Sequence, residues 1–567
     1  MMTEHLLSLL VWFPLFAALV VLFAPRQSVR FIRIFTVLAM LAELGLSMLL
    51  LGGNYSTPHY QFVEQAVLVE QVGITYTVGI DGISLWLVLL TTLLSPIATF
   101  ASWTSINTKV KEYAFSFLLL ETGMLGAFVA LDLVLFYVFW ELMLIPMALI
   151  IGVWGGPRKV YAAIKFFLYT MVGGLLMLVA IIYLVVQYKE QTGVYTFELA
   201  RLNELILPVQ AQMWTFAAFA LAFAVKVPMF PLHTWLPDAH VEAPTAGSVI
   251  LAAVLLKLGC YGFLRFAMPL FPSASHRLVP TLAFIAVLGI IYGAYCAWVQ
   301  KDVKKLVAYS SVSHLGFVML GMFSLTTQGL SGSILQMVNH GISTGALFLL
   351  VGVVYERRHT RQLDQFGGLA AVMPVYTTVF IIIALSSVGL PGTNGFVGEF
   401  MILSGTFLSE FFGPSAVLLA LFAATGVILA AIYMLHAVLK LFFGPVTREE
   451  NRRLADLSWR EATALAPLVL MVFWIGLYPA AFLKRMEPSV KNFAAHYSAK
   501  LQAGDAKPNI RSIFDDKEFD MMPKPVEEEP EKAATESGTP RPTARVEAKK
   551  AIARKPARLE RAAGGPR

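Results

Sequence analysis

Residues 221–263 read LAFAVKVPMFPLHTWLPDAHVEAPTAGSVILAAVLLKLGCYGF. A hydrophobic helix runs up to Lys226, breaks at Pro228 and Pro231, restarts, and gives way to a second hydrophobic helix with Lys257 in its middle. A lysine at membrane depth costs roughly 2.5–3.5 kcal/mol even on the lenient insertion scale. A proline pair interrupts the backbone ladder where lipid offers no partner, so this backbone has to line protein or a water-filled interior. Two such violations side by side point to an ion path.

The 567-residue chain is 57% hydrophobic and 14% charged, which is too apolar for a soluble protein and fits a polytopic membrane protein. Its two cysteines, Cys260 and Cys296, fall in apolar helices and read as reduced packing residues. Two thiols cannot hold an iron–sulfur cluster. No GxGxxG or Walker pattern is present, so any redox chemistry belongs to other chains. The segment before the first apolar run, MMTEH, lacks the basic stretch of a signal peptide, and that run reads as a retained helix.

Apolar runs of about 20 residues are expected at fourteen places: 6–24, 31–51, 83–103, 114–131, 133–153, 163–187, 215–240, 245–268, 279–298, 304–323, 330–354, 372–409, 415–443 and 461–484. The seventh and the twelfth are too long for one straight crossing and carry breakers, the twelfth at GLPGTNG, Gly389–Gly395. Broken spans in two halves of a chain are the pattern of transporters built from inverted repeats. The expected class is therefore an all-α polytopic membrane protein of about fourteen transmembrane helices. Loops after odd-numbered spans hold Arg26, Arg30, Arg33, Lys109, Lys111, Arg158, Lys159, Lys301, Arg357, Arg358, Arg361 and Arg448, whereas those after even-numbered spans hold Lys189, Arg201 and Arg277. The positive-inside rule then puts both termini outside, on the periplasmic face of a bacterial inner membrane. From about Lys500 the chain is rich in Pro, Ala and charge and is expected to be disordered. Its last part, from Arg541, has nine basic and two acidic residues and offers contact to anionic lipid, although a solvated tail explains it as well.

Counted at 1.5 Å per residue, Glu141, Lys257, His314 and His340 come out near mid-membrane. Lys226 lies at the first break and Glu399 just past the second. Groups at one depth on six helices make a row along the membrane plane, which suits protons carried sideways. Each residue also has a plainer reading. Glu141 reads as counter-charge to Lys226 or as a packing carboxylate. Lysines desolvated in this way release protons near neutral pH, while snorkelling explains Lys226 weakly and Lys257 not at all. A satisfied core histidine accounts for His314 or His340 alone as well as a relay group does. His233 and His240 flank the restart of the seventh helix, toward its cytoplasmic mouth. Glu399 is expected in the first turn of a half-helix starting after Gly395, where the helix dipole stabilises a carboxylate; a structural cap has the same geometry. No His, Asp or Glu set has metal-site spacing, so no metal is expected.

Four stretches carry a resemblance: HTWLPDAHVEAPTAGSVILAAVLLKLG, GIDGISL at Gly79–Leu85, KKLVAYSSVSHLGF and GLPGTNGFVGEF. From the first helix to the fourteenth the chain resembles the antiporter-like membrane subunits of NADH:quinone oxidoreductase, respiratory complex I. Within that family it looks most like the M type (mitochondrial chain-4 type). The L type has a long lateral helix where this chain has a polar tail, and the L and N types usually carry lysine where Glu399 stands. The resemblance implies two inverted five-helix repeats with discontinuous helices 7 and 12. The corresponding divisions are 1–112 (helices one to three), 113–270 (first repeat), 271–445 (second repeat), 446–499 (helix fourteen) and 500–567 (tail). It also implies a Glu141–Lys226 charge pair, Lys257 as central relay, His314 and His340 extending the row, and Glu399 as terminal group.

On that resemblance the chain moves protons within an enzyme complex, and FMN, iron–sulfur clusters and quinone (ubiquinone included) lie in other subunits, with no cofactor here. Expected partners are the L-type and N-type membrane subunits, lipid and protons, and no nucleic acid. Two rival readings are a subunit of a sodium/proton antiporter or membrane-bound hydrogenase complex, and a non-conducting scaffold.

Overall fold

Pro479 splits what reads in the sequence as one last span. A residue before proline is pushed out of helical backbone, and Tyr478 (φ −135°, ψ 62°) ends the helix Trp459–Leu477. A new helix, Ala480–Ala503, follows at once. The expected span 461–484 therefore joins the ends of two separate helices. The computed structural model describes residues 5–503, and the expectations for the tail beyond that lie outside the described residues.

In chain order the principal helices are α1 Leu6–Phe23, α2 Val29–Ser47, α3 Leu85–Ala101, α4 Val110–Val129, α5 Leu133–Leu142, α6 Leu144–Trp154, α7 Lys159–Thr192, α8 Val209–Lys226 and α9 Trp235–Glu242. The helical stretch α10, Thr245–Leu270, follows. Then come α11 Pro272–Trp298, α12 Val303–Phe323, α13 Thr327–Arg358, α14 Pro374–Val388, α15 Asn394–Phe407, α16 Ser415–Phe442, α17 Trp459–Leu477 and α18 Ala480–Ala503. Among the described residues, eleven helical stretches are long and apolar enough to cross a membrane, and α3 and α14 are shorter apolar helices. Both expected breaks are present, the first between α8 and α9 and the second between α14 and α15.

The fold is not purely helical. QFVEQAVLV (Gln61–Val69) and ITYTVGI (Ile74–Ile80) pair antiparallel around Gly73, whose φ of +67° suits glycine. Short β-branched and aromatic runs meeting at such a turn make a hairpin, a signal that a search for long apolar runs passes over. The hairpin tethers one face of the protein: Val78 bridges Ala130 after α4, and Asp132 bridges Glu198 after α7. Lys111 donates to the Ala24 carbonyl, and Arg33 to that of Ile106, on the opposite face. Loops after the first and third spans thus share one side, and loops after the second, fourth and sixth share the other.

Packing sorts the helices by chemistry. The most apolar windows of α10 and α13 are wholly buried, while α7, α16 and α17 turn residues such as Val179, Ile428 and Leu470 outward. Apolar side chains turned outward around inner helices that carry the buried charges are what a bilayer demands. α13 packs along α12 and α15, and α10 lies against α3, α8 and α13. α18 lies across α10, α11 and α13. It comes so close to the GIDGISL turn that a Cβ on Gly82 would stand 2.1 Å from the Arg485 carbonyl oxygen. The Gly82 amide donates to Ser489 Oγ at 3.1 Å.

Candidate functional site: a row of buried charges

α8 ends at Lys226, so the ammonium stands at the carbonyl end of a helix, which favours a cation. The indole N–H of Trp235, from the restarted helix, donates to the Val225 carbonyl at 2.8 Å and satisfies a backbone group beside the break. Lys226 is 1% exposed and does not snorkel. Its Nζ has no hydrogen-bond partner and lies 4.8 Å from the centre of the Trp140 ring and 5.8 Å from that of Phe166. The neighbouring Glu141 acts on it electrostatically, but no hydrogen bond closes the pair, and Glu141 Oε1 is also unpartnered. Glu141 as a residue is half-buried, on the flank of the protein. Its carboxylate occupies the space left by Gly174 of α7, where a Cβ would stand 1.9 Å from Oε1.

Lys257 lies between two π-helical turns of α10, Leu251–Leu255 and Phe263–Ala267. Such wide turns interrupt helices mostly at functional sites because they displace the regular backbone bonding. Lys257 Nζ donates to the Ala252 carbonyl at 2.5 Å and lies 2.6 Å from His340 Nδ1. The His340 and His314 ring centres are 5.8 Å apart. His314 Nδ1 is 3.1 Å from Glu399 Oε1, while its Nε2 faces Tyr433 Oη at 3.2 Å and Ser387 Oγ at 3.3 Å. Gln336 Nε2 donates to Glu399 Oε1 at 3.1 Å. Lys257, His340, His314 and Glu399 are each at least nine-tenths buried.

Glu399 departs from its expected place. α15 starts at Asn394 with no acidic residue in its first turn, so Glu399 belongs to the second turn. Side chains of α12 and α13 hold it, not a helix-end amide, and the cap reading is excluded. Asn394 anchors the break instead: its carbonyl accepts from Asn339 Nδ2 at 2.7 Å and its Oδ1 from Ser386 Oγ at 2.5 Å.

The row therefore comes in two parts. Lys257, His340, His314 and Glu399 form one continuous run, and Glu141 with Lys226 forms another. Between them α8 and α10 meet through apolar groups, with Gly259 against Val227 and Gly262 against Phe223. His240 is fully buried and stacked on Phe348 (ring centres 4.6 Å, 11° between planes), not at a mouth, and neither of its ring nitrogens has a partner. Lys304 is a buried cation that the sequence reading missed, donating to the Ala243 carbonyl at 2.6 Å. Gln336, Asn339 and Ser343 were also missed; with His340 they recur at i, i+3, i+4 and i+7 and mark a polar stripe on an otherwise apolar helix.

The family model for "NADH:quinone oxidoreductase/Mrp antiporter, TM" matches residues 130–428. NADH-quinone oxidoreductase subunit M of Rhodobacter capsulatus is 44% identical over 510 residues, covering 88% of this chain and 98% of that one. The chain belongs to this complex I subunit family. NADH-ubiquinone oxidoreductase chain 4 of Arabidopsis thaliana is also 44% identical, over 86% of this chain and 97% of its own length. Among solved structures, a chain of respiratory complex I from Thermus thermophilus with bound NADH superposes with a TM-score of 0.78 at 33% identity, covering 87% of this chain and 99% of that chain. This complex I chain is thus an integral membrane subunit of a larger enzyme assembly, with other membrane subunits as partners.

Proposed function

We propose that the chain translocates protons in the membrane domain of NADH:quinone oxidoreductase, through Glu141, Lys226, Lys257, His340, His314 and Glu399. One observation carries the reading: four titratable groups from four helices, α10, α13, α12 and α15, stand in sequence inside an apolar bundle. A protonated Lys257 donates to the lone pair of His340 Nδ1, which puts the imidazole proton on Nε2. His314 donates from Nδ1 to the Glu399 carboxylate and accepts at Nε2 from Tyr433 or Ser387. The two ring centres lie 5.8 Å apart, which makes His314 the next group in the run after His340. The Glu141–Lys226 pair stands open, and closing it withdraws a positive charge from the neighbourhood of Lys257. With the pair closed Lys257 takes up a proton, and opening the pair brings the positive charge back and pushes that proton along the run toward Glu399.

In this reading the chain crosses a bacterial inner membrane fourteen times with both termini outside, in keeping with the loop charges. Helices four to eight (113–270) and nine to thirteen (271–445) form two inverted repeats, with segments 1–112 and 446–499 beside them. Redox cofactors lie in other subunits. The test is substitution in the assembled complex: Glu399→Gln is expected to preserve assembly and lower NADH:quinone turnover and proton uptake by roughly ten-fold or more. Unchanged pumping in that variant overturns the proposal in favour of a scaffold.

A further inference from the structure

A second group of buried acids lies outside the row and outside the residues matched by the family model. Glu43 of α2 and Glu121 of α4 are both 0% exposed, and none of their four carboxyl oxygens has a hydrogen-bond partner. Their placement follows from the contacts of α2 with α3. Ser47 Oγ lies 2.7 Å from Thr92 Oγ1, and Thr99 Oγ1 donates to Met40 Sδ at 3.2 Å. Glu43 lies between Met40 and Ser47, and Ser95 between Thr92 and Thr99, so Glu43 is level with Ser95 where the two helices touch. Ser95 also stands beside Glu121 on α4. Pro96 adds a second irregularity, because it lacks the amide that would close on the Thr92 carbonyl.

We propose that Glu43 and Glu121, on either side of Ser95, form a proton-holding carboxyl pair separate from the row. The charge inventory requires protons there. α1 and α3 carry no ionisable side chain. On α2 the others are Arg30 and Arg33, and on α4 they are Lys111, Glu112 and Tyr113, all at least eight residues from the pair along their helices. α4 also touches the hairpin, α5, α6 and α10, whose ionisable groups nearby are Tyr76, Tyr137, Glu141, Lys257, Cys260 and Tyr261. None of these acts on Glu121, and the one charged group that acts on Glu43 is Glu121 itself. Two like charges in an apolar interior, with no cation and only the Ser95 hydroxyl beside them, cannot both stay ionised. A protonated carboxyl instead donates its own O–H, to its partner or to the Thr92 carbonyl, and removes the penalty.

The test is infrared difference spectroscopy on the assembled complex at neutral pH in sodium-free buffer, native against Glu43→Gln/Glu121→Gln. The native complex is expected to show carboxylic-acid C=O absorption that the double variant loses. Superimposable spectra in that region overturn the proposal. So does an acid band in the native complex that vanishes on adding sodium chloride but persists with choline chloride, because the pair then takes a metal cation in place of its protons. Should the double variant fail to assemble, the native complex is treated with a hydrophobic carbodiimide, which adds only to the protonated acid. An adduct on a peptide holding Glu43 or Glu121 supports the pair, and unmodified peptides at both overturn it.

Discussion

Lys257 Nζ stands 2.6 Å from His340 Nδ1, joining α10 to α13 at the centre of the protein. Both residues are almost entirely enclosed, so the ammonium relies on the imidazole lone pair and on the Ala252 carbonyl in place of water. Replacing Lys257 by arginine keeps a cation but removes the ability to release a proton, because a guanidinium stays charged at every working pH. Lys257→Arg is therefore expected to assemble and to lose about ten-fold or more of its proton uptake. Proton uptake measured against NADH oxidation in vesicles checks this.

Gly174 gives the Glu141 carboxylate its place. In Gly174→Ala the new methyl meets the far end of a flexible side chain, so the carboxylate moves and the backbone does not. The stability loss is expected at or below the low end of the 1–3 kcal/mol typical of overpacking. Turnover should nevertheless fall toward that of Glu141→Ala. Thermal unfolding and turnover measured on the same preparation separate the two effects.

Arg265 and Asp81 meet at 2.6 Å, with the guanidinium 5.3 Å from the ring centres of both Tyr60 and Tyr261. This ion pair fastens α10 to the turn beneath α18. Arg265→Met strands a buried carboxylate and is expected to cost about 3–5 kcal/mol. Adding Asp81→Asn should restore much of that loss. The thermal midpoint of the complex in the three variants gives the answer.

Lys500, on the docked face of α18, donates to the Pro269 carbonyl at 3.0 Å. Burial brings its pKa down to about 7, with Glu204 opposing. The unfolded lysine binds its proton up to a pKa of about 10.4, so between pH 7 and that value the undocked form holds more protons. Docking should then strengthen as pH rises through this window, by at most about 1.4 kcal/mol per pH unit. Hydrogen exchange of α18 amides, corrected for intrinsic rate, is expected to slow from pH 7 to pH 9, and Lys500→Met should abolish the trend.

The membrane class and the two breaks were legible in the chain, and the six candidate charges stood out in it, because lipid makes charge and proline rare. A lysine at position 226 or 257 stands out against its neighbours whatever the tertiary fold. The polar stripe at Gln336, Asn339, His340 and Ser343 was equally readable by its spacing. The hairpin at Gln61–Ile80 and the separate helix α18 hid from a search for apolar runs, since one alternates and the other is half polar.

What touches what came only from the packed structure. Helical spacing puts Glu399 near a break, yet its turn in α15 and its bonds to His314 and Gln336 depend on how three helices cross. The same holds for Glu43 and Glu121, 78 positions apart in the chain. Local sequence sets which groups enter the membrane, because insertion free energy accrues residue by residue. Their pairing is set by side-chain packing between helices far apart in the chain, which no local pattern encodes.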